Sequence, residues 1–174
     1  MQQILKYYWQ MCLLRAGPDA LPASLFVLGL SFGCYFLVAL ATNLLSRDDL
    51  GAFQGVAYIL IGVAVEAGVV GGLLAFKSVS QRFLQGMSAL LGANALILVL
   101  TLPVSLVMRE FDSPTLQALF ESVFLLIFVW WLTIAGFILH RTADISLALG
   151  IAAAFGIEIL AISTTYAVFP VETS

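Results

Sequence analysis

Apolar residues fill five successive stretches of the chain, at about 21–45, 52–76, 83–108, 117–139 and 145–169, with only a few polar residues between one and the next. Each reads as a membrane-crossing helix, because about 24 residues at ~1.5 Å rise reach ~36 Å, more than a hydrocarbon core of ~30 Å. The alternation of apolar and polar faces usual in globular domains is missing from most of the chain. The pattern therefore predicts an all-α fold, a polytopic five-transmembrane-helix bundle. Residues 20–170 form that membrane domain, residues 1–19 a cytoplasmic interfacial helix and linker, and residues 171–174 an outer tail.

Before the first span the pattern changes. Gln3, Lys6 and Gln10 recur at helical spacing, while Ile4, Tyr8, Met11 and Cys12 fall on another face with Tyr7 and Trp9 at its margin. This predicts a short amphipathic helix lying in the cytoplasmic interface. A docking helix for a soluble partner is the alternative. The segment Ala16-Gly17-Pro18-Asp19-Ala20-Leu21-Pro22 breaks the helix before the first span, since proline lacks the N–H and restricts the residue before it. The anchor and the bundle are expected to be oriented separately.

Composition adds exclusions. With 62% hydrophobic and 10% charged residues in 174, one helical bundle is the natural unit. The net charge of −3 arises from seven basic and ten acidic side chains, and no run of Lys and Arg could track a phosphate backbone, which argues against a nucleic acid partner. Cys12 and Cys34 are expected at different depths, too far apart for a disulfide, and no cysteine metal site is implied. The first apolar run follows about twenty residues and exceeds a signal-peptide core, so it is expected to stay in place. No half of the chain copies the other, which lowers the case for a carrier built on inverted repeats.

Charge also orients the spans. A cytoplasmic N-terminus puts Lys6, Arg15, Lys77, Arg82 and Arg141 inside and leaves Arg47 and Arg109 outside, as the positive-inside rule favours. Asp48, Asp49, Glu110, Asp112 and Glu172 then fall outside, against Asp19 and Asp144 inside. An odd number of spans sends the C-terminus outside. The lipid bilayer is the first expected partner.

Candidate chemistry rests on the polar groups within spans, where a charge at the centre costs roughly 3 kcal/mol on translocon scales. Glu66, Asn94 and Glu158 each lie about 10 to 13 residues in from the cytoplasmic side, and Tyr35 reaches a similar depth, so the four are candidates for one polar layer near the midplane. Glu158 shares a stripe with Ser146, Gly150 and Ala154, and Glu66 shares one with Tyr58 and Gly62. Asn94 aligns with Thr101 and Ser105, and Pro103 withholds an N–H from the Val99 carbonyl, predicting a kink. Two carboxyls close together in low dielectric cannot both stay ionised, so Glu66 and Glu158 could share a proton or hold a cation. Equally, protonated glutamates bonded to Asn94, Tyr35 or a carbonyl would join helices, and a partner or ligand contact is a third reading. Glu121, near the start of its span, reads as a solvated interface residue.

Gly29 and Gly33, Gly68 and Gly72, and Gly150 with Ala154 are candidate helix-packing positions, within the chain or in a dimer. The lone His140 reads as a surface cap, so no two-His metal or haem site arises, and no cofactor is implied. Trp130-Trp131 reads as core packing or interfacial anchoring. No nucleophile with a base and no phosphate loop is evident, which argues against an enzyme.

Gly71-Gly72 to Lys77 followed by Arg82, a third span carrying Pro103, and the run Trp131 to Gly136 and His140 leading into Ser146 to Gly156 resemble the Yip domain family of small five-span membrane proteins. The resemblance covers about Leu21 to Phe169. It implies a five-span fold, and eukaryotic relatives act in Golgi and endoplasmic-reticulum trafficking through prenylated small GTPases and one another. The long cytoplasmic N-terminal segment of many of those proteins has no counterpart here, so the chain looks more like the short prokaryotic members, which implies a prokaryotic cytoplasmic (inner) membrane and for which the resemblance supplies no function. The resemblance carries no catalytic residue.

Two functions follow as expectations. The first is a non-enzymatic scaffold, assembly factor or accessory subunit that packs against other membrane proteins or its own copies. The second is a small channel or proton/cation-coupled transporter using Glu66, Asn94 and Glu158.

Overall fold

The computed structural model describes residues 2–46, 51–110 and 114–169. Six α-helices follow one another: α1 Gln2–Cys12, α2 Leu25–Ser46, α3 Ala52–Phe76, α4 Phe83–Glu110, α5 Pro114–Ala143 and α6 Leu147–Val168, with 3₁₀ turns at Pro18–Ala20 and Ser80–Arg82. No strand occurs among the described residues. Helices α2 to α6 are each long and apolar enough to cross a membrane, and the chain is an integral membrane protein of all-α class. Arg47, Asp48, Asp49, Asp112, Glu172 and the tail 171–174 lie outside the described residues, as do the side chains of Arg109 and Glu110.

Helix limits follow local chemistry. Helix α2 starts at Leu25 rather than 21, because Pro22 withholds an N–H and the Ser24 hydroxyl accepts from Phe26 N at 3.2 Å. Helix α5 begins at Pro114, a residue favoured in a first turn. At 28 and 30 residues, α4 and α5 run past their apolar stretches, and α4 continues through Pro103. Helices α1, α3 and α5 end alike, with Leu14, Ser78 and Asp144 in the left-handed region at φ of 59°, 58° and 50°. Each turn closes with a bond from the following N–H back five residues: Arg15 to Gln10, Val79 to Leu74, Ile145 to His140.

Neighbour relations define the bundle. Helix α2 packs on α4 and α3, α4 on α5, α5 on α6, and α6 on α3, so the spans close in the spatial order α2, α4, α5, α6, α3. Helices α5 and α6 approach most tightly at glycines. A Cβ on Gly136 would stand 2.7 Å from the backbone N of Ile151, and one on Gly150 would overlap the Gly136 carbonyl. At the α1 end, a Cβ on Gly86 would stand 2.7 Å from the Thr142 methyl.

Packing is uneven along the membrane normal. Leu74, Leu90, Leu91, Ile134, Ile138 and Leu139 are fully buried, and all belong to the half of the bundle that carries α1. The expected separate orientation of α1 is corrected here, because its apolar face is set into the protein. Tyr8, Met11 and Cys12 are core residues. The Tyr8 hydroxyl donates to the Ser88 carbonyl at 3.2 Å and stands 2.7 Å from Ser31 Oγ, and its ring fills the space a side chain at position 92 would take. Trp130 Nε1 donates to the Cys12 carbonyl at 3.0 Å. The linker is held too: Tyr7 donates to the Gly17 carbonyl, Gln85 Nε2 to Leu21 O at 2.8 Å, and Arg141 pairs with Asp19 at 2.7 Å. An apolar face serves a groove between helices as well as it serves lipid. The two are indistinguishable by periodicity alone.

Burial pushes the Cys12 thiol up to about 11 from an ordinary 9.0. The protonated thiol is what α1 docking stabilises, so this contribution is complete below pH 9 and is lost as pH rises toward about 11. In a Cys34→Ala background, Cys12 is expected to resist a water-soluble maleimide at neutral pH. Tyr8→Ala, which removes the ring from Gly92, should speed that labelling about tenfold or more by raising the population of undocked α1. Mass spectrometry of timed samples reads both rates. Equal labelling in the two proteins counts against a docked α1.

Candidate functional site

The four residues placed in one layer by depth come from four helices: Tyr35 on α2, Glu66 on α3, Asn94 on α4 and Glu158 on α6. Periodicity turns them inward. On α2, Ser31 and Ala39 are buried one turn to either side of Tyr35, while Gly33, about 200° away at 100° per residue, faces out. On α6, Gly150, Ala154 and Ile157 are buried along the stripe that leads to Glu158.

Asn94 is the hub. Its Nδ2 donates to Glu66 Oε1 at 3.3 Å, and its Oδ1 accepts from Trp131 Nε1 at 2.7 Å. The chain Trp131–Asn94–Glu66 thus joins α5, α4 and α3, and Trp131 stacks on Phe128 with ring centroids 5.8 Å apart. Trp131 was missed as a polar member, and the pair Trp130-Trp131 divides its work. Trp130 holds α1 and Trp131 holds the layer. Depth offered a signal: Trp131 lies twelve residues before the end of α5 at Ala143 and Asn94 eleven after the start of α4 at Phe83, and a Trp N–H in apolar surroundings needs an acceptor.

Tyr35 and Glu158 stand apart from this chain. Neither makes a side-chain hydrogen bond within the protein among the described residues, and both line two cavities, of about 320 and 270 Å³. The larger lies among α2, α4, α5 and α6, with Asn94, Thr101, Phe124, Phe128 and Trp131 in its wall. The smaller lies among α2, α3, α4 and α6, with Thr42, Asn43, Tyr58 and Thr165 in its wall. Tyr35, Leu98 and Glu158 are common to both and divide them. From that partition the cavities extend into the half of the bundle away from α1. Glu66 and Glu158 do not share a hydrogen bond, although each lies within electrostatic reach of the other.

Where are the cations? The described basic side chains, Lys6, Arg15, Lys77, Arg82 and Arg141, lie on α1, its linker or helix ends at the α1 end, where Arg82 pairs with Asp144 at 2.9 Å and Arg141 with Asp19. These four charges and His140 border a surface basin of about 470 Å³, and His140 Nδ1 bonds the Ile145 carbonyl. None reaches the layer. Among the described residues no three His, Cys, Asp or Glu side chains cluster as metal ligands would. Glu121 is exposed on α5, and Cys12 and Cys34 are both free, Cys12 buried and Cys34 exposed.

The glycines sort by face. Gly150 and Ala154 pack inside the bundle, whereas a Cβ added to Gly29, Gly33, Gly68 or Gly72 would meet no atom within 4 Å. The class defined by this arrangement is a five-span integral membrane protein with a layer of polar side chains between its helices, largely apolar cavities beside that layer, and glycine lines on its outside. No protein-family model, curated protein or solved structure matches the chain.

The polar chain has a measurable weight. Trp131→Phe leaves Asn94 Oδ1 without its donor and should lower stability by about 1–2 kcal/mol, while Asn94→Leu strands both the indole N–H and Glu66 and should cost about 2–4 kcal/mol. Thermal or denaturant unfolding in mixed micelles, with Trp131→Phe/Asn94→Leu as the double variant, checks this. The bond requires that the double variant lose less than the sum of the two single losses.

Proposed function

We propose that the chain acts by association, as a scaffold, assembly factor or accessory subunit that packs against partner membrane proteins, and that it has no catalytic role. The observation that supports this most is the outward placement of Gly29 and Gly33 on α2 and of Gly68 and Gly72 on α3, where a Cβ touches nothing of the same chain. Within a bilayer, helices associate through close packing rather than hydrophobic expulsion, and small residues spaced four apart let backbones approach. The single chain leaves room for a side chain at these positions. In this reading the α1 end, which carries every basic residue whose side chain the structure describes, faces the cytoplasm of a prokaryotic inner membrane.

Isolation in native lipid discs tests the proposal, with intact mass and protein composition of the particle as readout. The wild type is expected to bring down other membrane proteins or further copies of itself. Gly29→Leu and Gly68→Leu should retain the fold and lose at least part of that company. A particle of unchanged composition in both variants would sink the association reading.

A second reading, a small channel or proton/cation-coupled transporter, is supported by the two cavities that meet at Tyr35 and Glu158. It expects pH-dependent cation or proton flux in proteoliposomes that falls about tenfold or more in Glu158→Gln. Flux equal to that of empty liposomes rules it out.

A further inference from the structure

The aromatic chamber around Glu158 supports one step more. Glu158 is an intramembrane carboxyl that no Lys or Arg of the described chain reaches and that makes no hydrogen bond within the protein among the described residues. Glu66, by contrast, is tied to Asn94. The larger cavity sets Tyr35, Phe124, Phe128 and Trp131 around the same space as Glu158. Aromatic faces attract a cation through their quadrupole, most strongly where water is excluded, and a carboxylate in such a place gains most from an external positive charge. Inorganic cations fit poorly, because they ask for several oxygen ligands, and of the four oxygen-bearing side chains in this wall Asn94 Oδ1 is bonded to Trp131 and the Thr101 hydroxyl to the Leu98 carbonyl, which leaves Tyr35 and Glu158. An organic ammonium asks for none. A volume of about 320 Å³ suits a small amphipathic molecule.

We infer that the chamber bordered by Tyr35, Phe128, Trp131 and Glu158 is a binding site for a small lipophilic ammonium ion, with Glu158 as counter-ion and the aromatic rings as its cage. The site goes beyond the association proposal and does not require it. It rests on the same chamber as the transport reading, but equilibrium binding and flux are measured separately, so binding without flux leaves the site standing and removes only transport.

Isothermal titration calorimetry on detergent-purified protein tests it with benzyltrimethylammonium as probe and benzenesulfonate as the anion of similar size. The expected result is saturable binding of the ammonium at one site per chain, and none of the sulfonate. Glu158→Gln should weaken binding about tenfold or more, and Phe128→Leu several-fold, since the first removes the counter-ion and the second one face of the cage. Glu121→Gln, at an exposed position on α5, should bind as the wild type does. Circular dichroism checks that each variant keeps its helices, and Phe128→Leu decides the matter if Glu158→Gln does not fold. Absence of saturable binding, equal binding of the sulfonate, or unchanged affinity in either chamber variant overturns the inference.

Discussion

A polar group surrounded by hydrocarbon needs a partner that lipid tails cannot supply, from the protein itself or from the contents of an internal cavity, and the arrangement of this bundle depends on how its chain meets that demand. Most hydroxyls are satisfied locally. Ser31, Thr42, Ser88, Thr133, Thr142 and Thr165 each donate to a carbonyl one turn earlier in their own helix. An asparagine amide and an indole N–H have no such local solution and reach across, and of the two midplane carboxyls Glu66 is met in this way while Glu158 borders the cavities. The bond chain Trp131–Asn94–Glu66 is the result, and it fixes the rotation of α5, α4 and α3 relative to one another. Tyr8 does the same for α1, whose hydroxyl spans Ser31 on α2 and Ser88 on α4.

These two sets of bonds divide the bundle. On the α1 side of the polar layer, large apolar side chains are fully buried and glycines admit close neighbours: Gly92 takes the ring of Tyr8, and Gly150 lies against the backbone of α5. Beyond the layer the interior is less filled, and both cavities lie there. The difference follows from element count. Near its own end α1 adds a sixth helix to the ring of five, and Met11 and Cys12 complete a core that the spans alone leave open. A tightly packed half resists deformation, while a half with internal space can admit a ligand.

The spans were legible in the sequence because a bilayer imposes a length, and lengths can be counted. Depth was legible for the same reason, which is how Tyr35, Glu66, Asn94 and Glu158 came to be considered together. Rotation was not. The pairs Gly29/Gly33 and Gly68/Gly72 have the same spacing as Gly150/Ala154, yet the first two face outward and the third is buried. In a lipid environment both faces of a helix are apolar, so composition no longer marks the inside. The docking of α1 was hidden by the same ambiguity. The hydroxyl of Tyr8 in the middle of an apolar face was the available hint, since it needs a partner that lipid tails do not offer. Trp131 was obscured by its type, because tryptophan in a span is explained by packing or interface anchoring before hydrogen bonding is considered.

Helix α2 connects the external and internal features of the protein. Gly29 and Gly33 lie on its outer face, and Ser31, Tyr35 and Ala39 on its inner one, about half a turn away. Helix α3 has the same division, with Gly68 and Gly72 outside and Glu66 and Val70 inside. The two helices are neighbours in the ring, so both glycine lines belong to adjacent spans. A partner helix seated on either line would press on backbones whose opposite faces carry Tyr35 and Glu66. Close-packed helices move as rigid elements rather than deforming locally, so displacement of α2 by a partner would shift Tyr35 at the partition between the two cavities. Association and occupancy of the chamber are therefore not competing accounts of this molecule. A ligand that favours one setting of α2 must favour the partner that holds it there, and by linkage the partner must favour the ligand to the same degree.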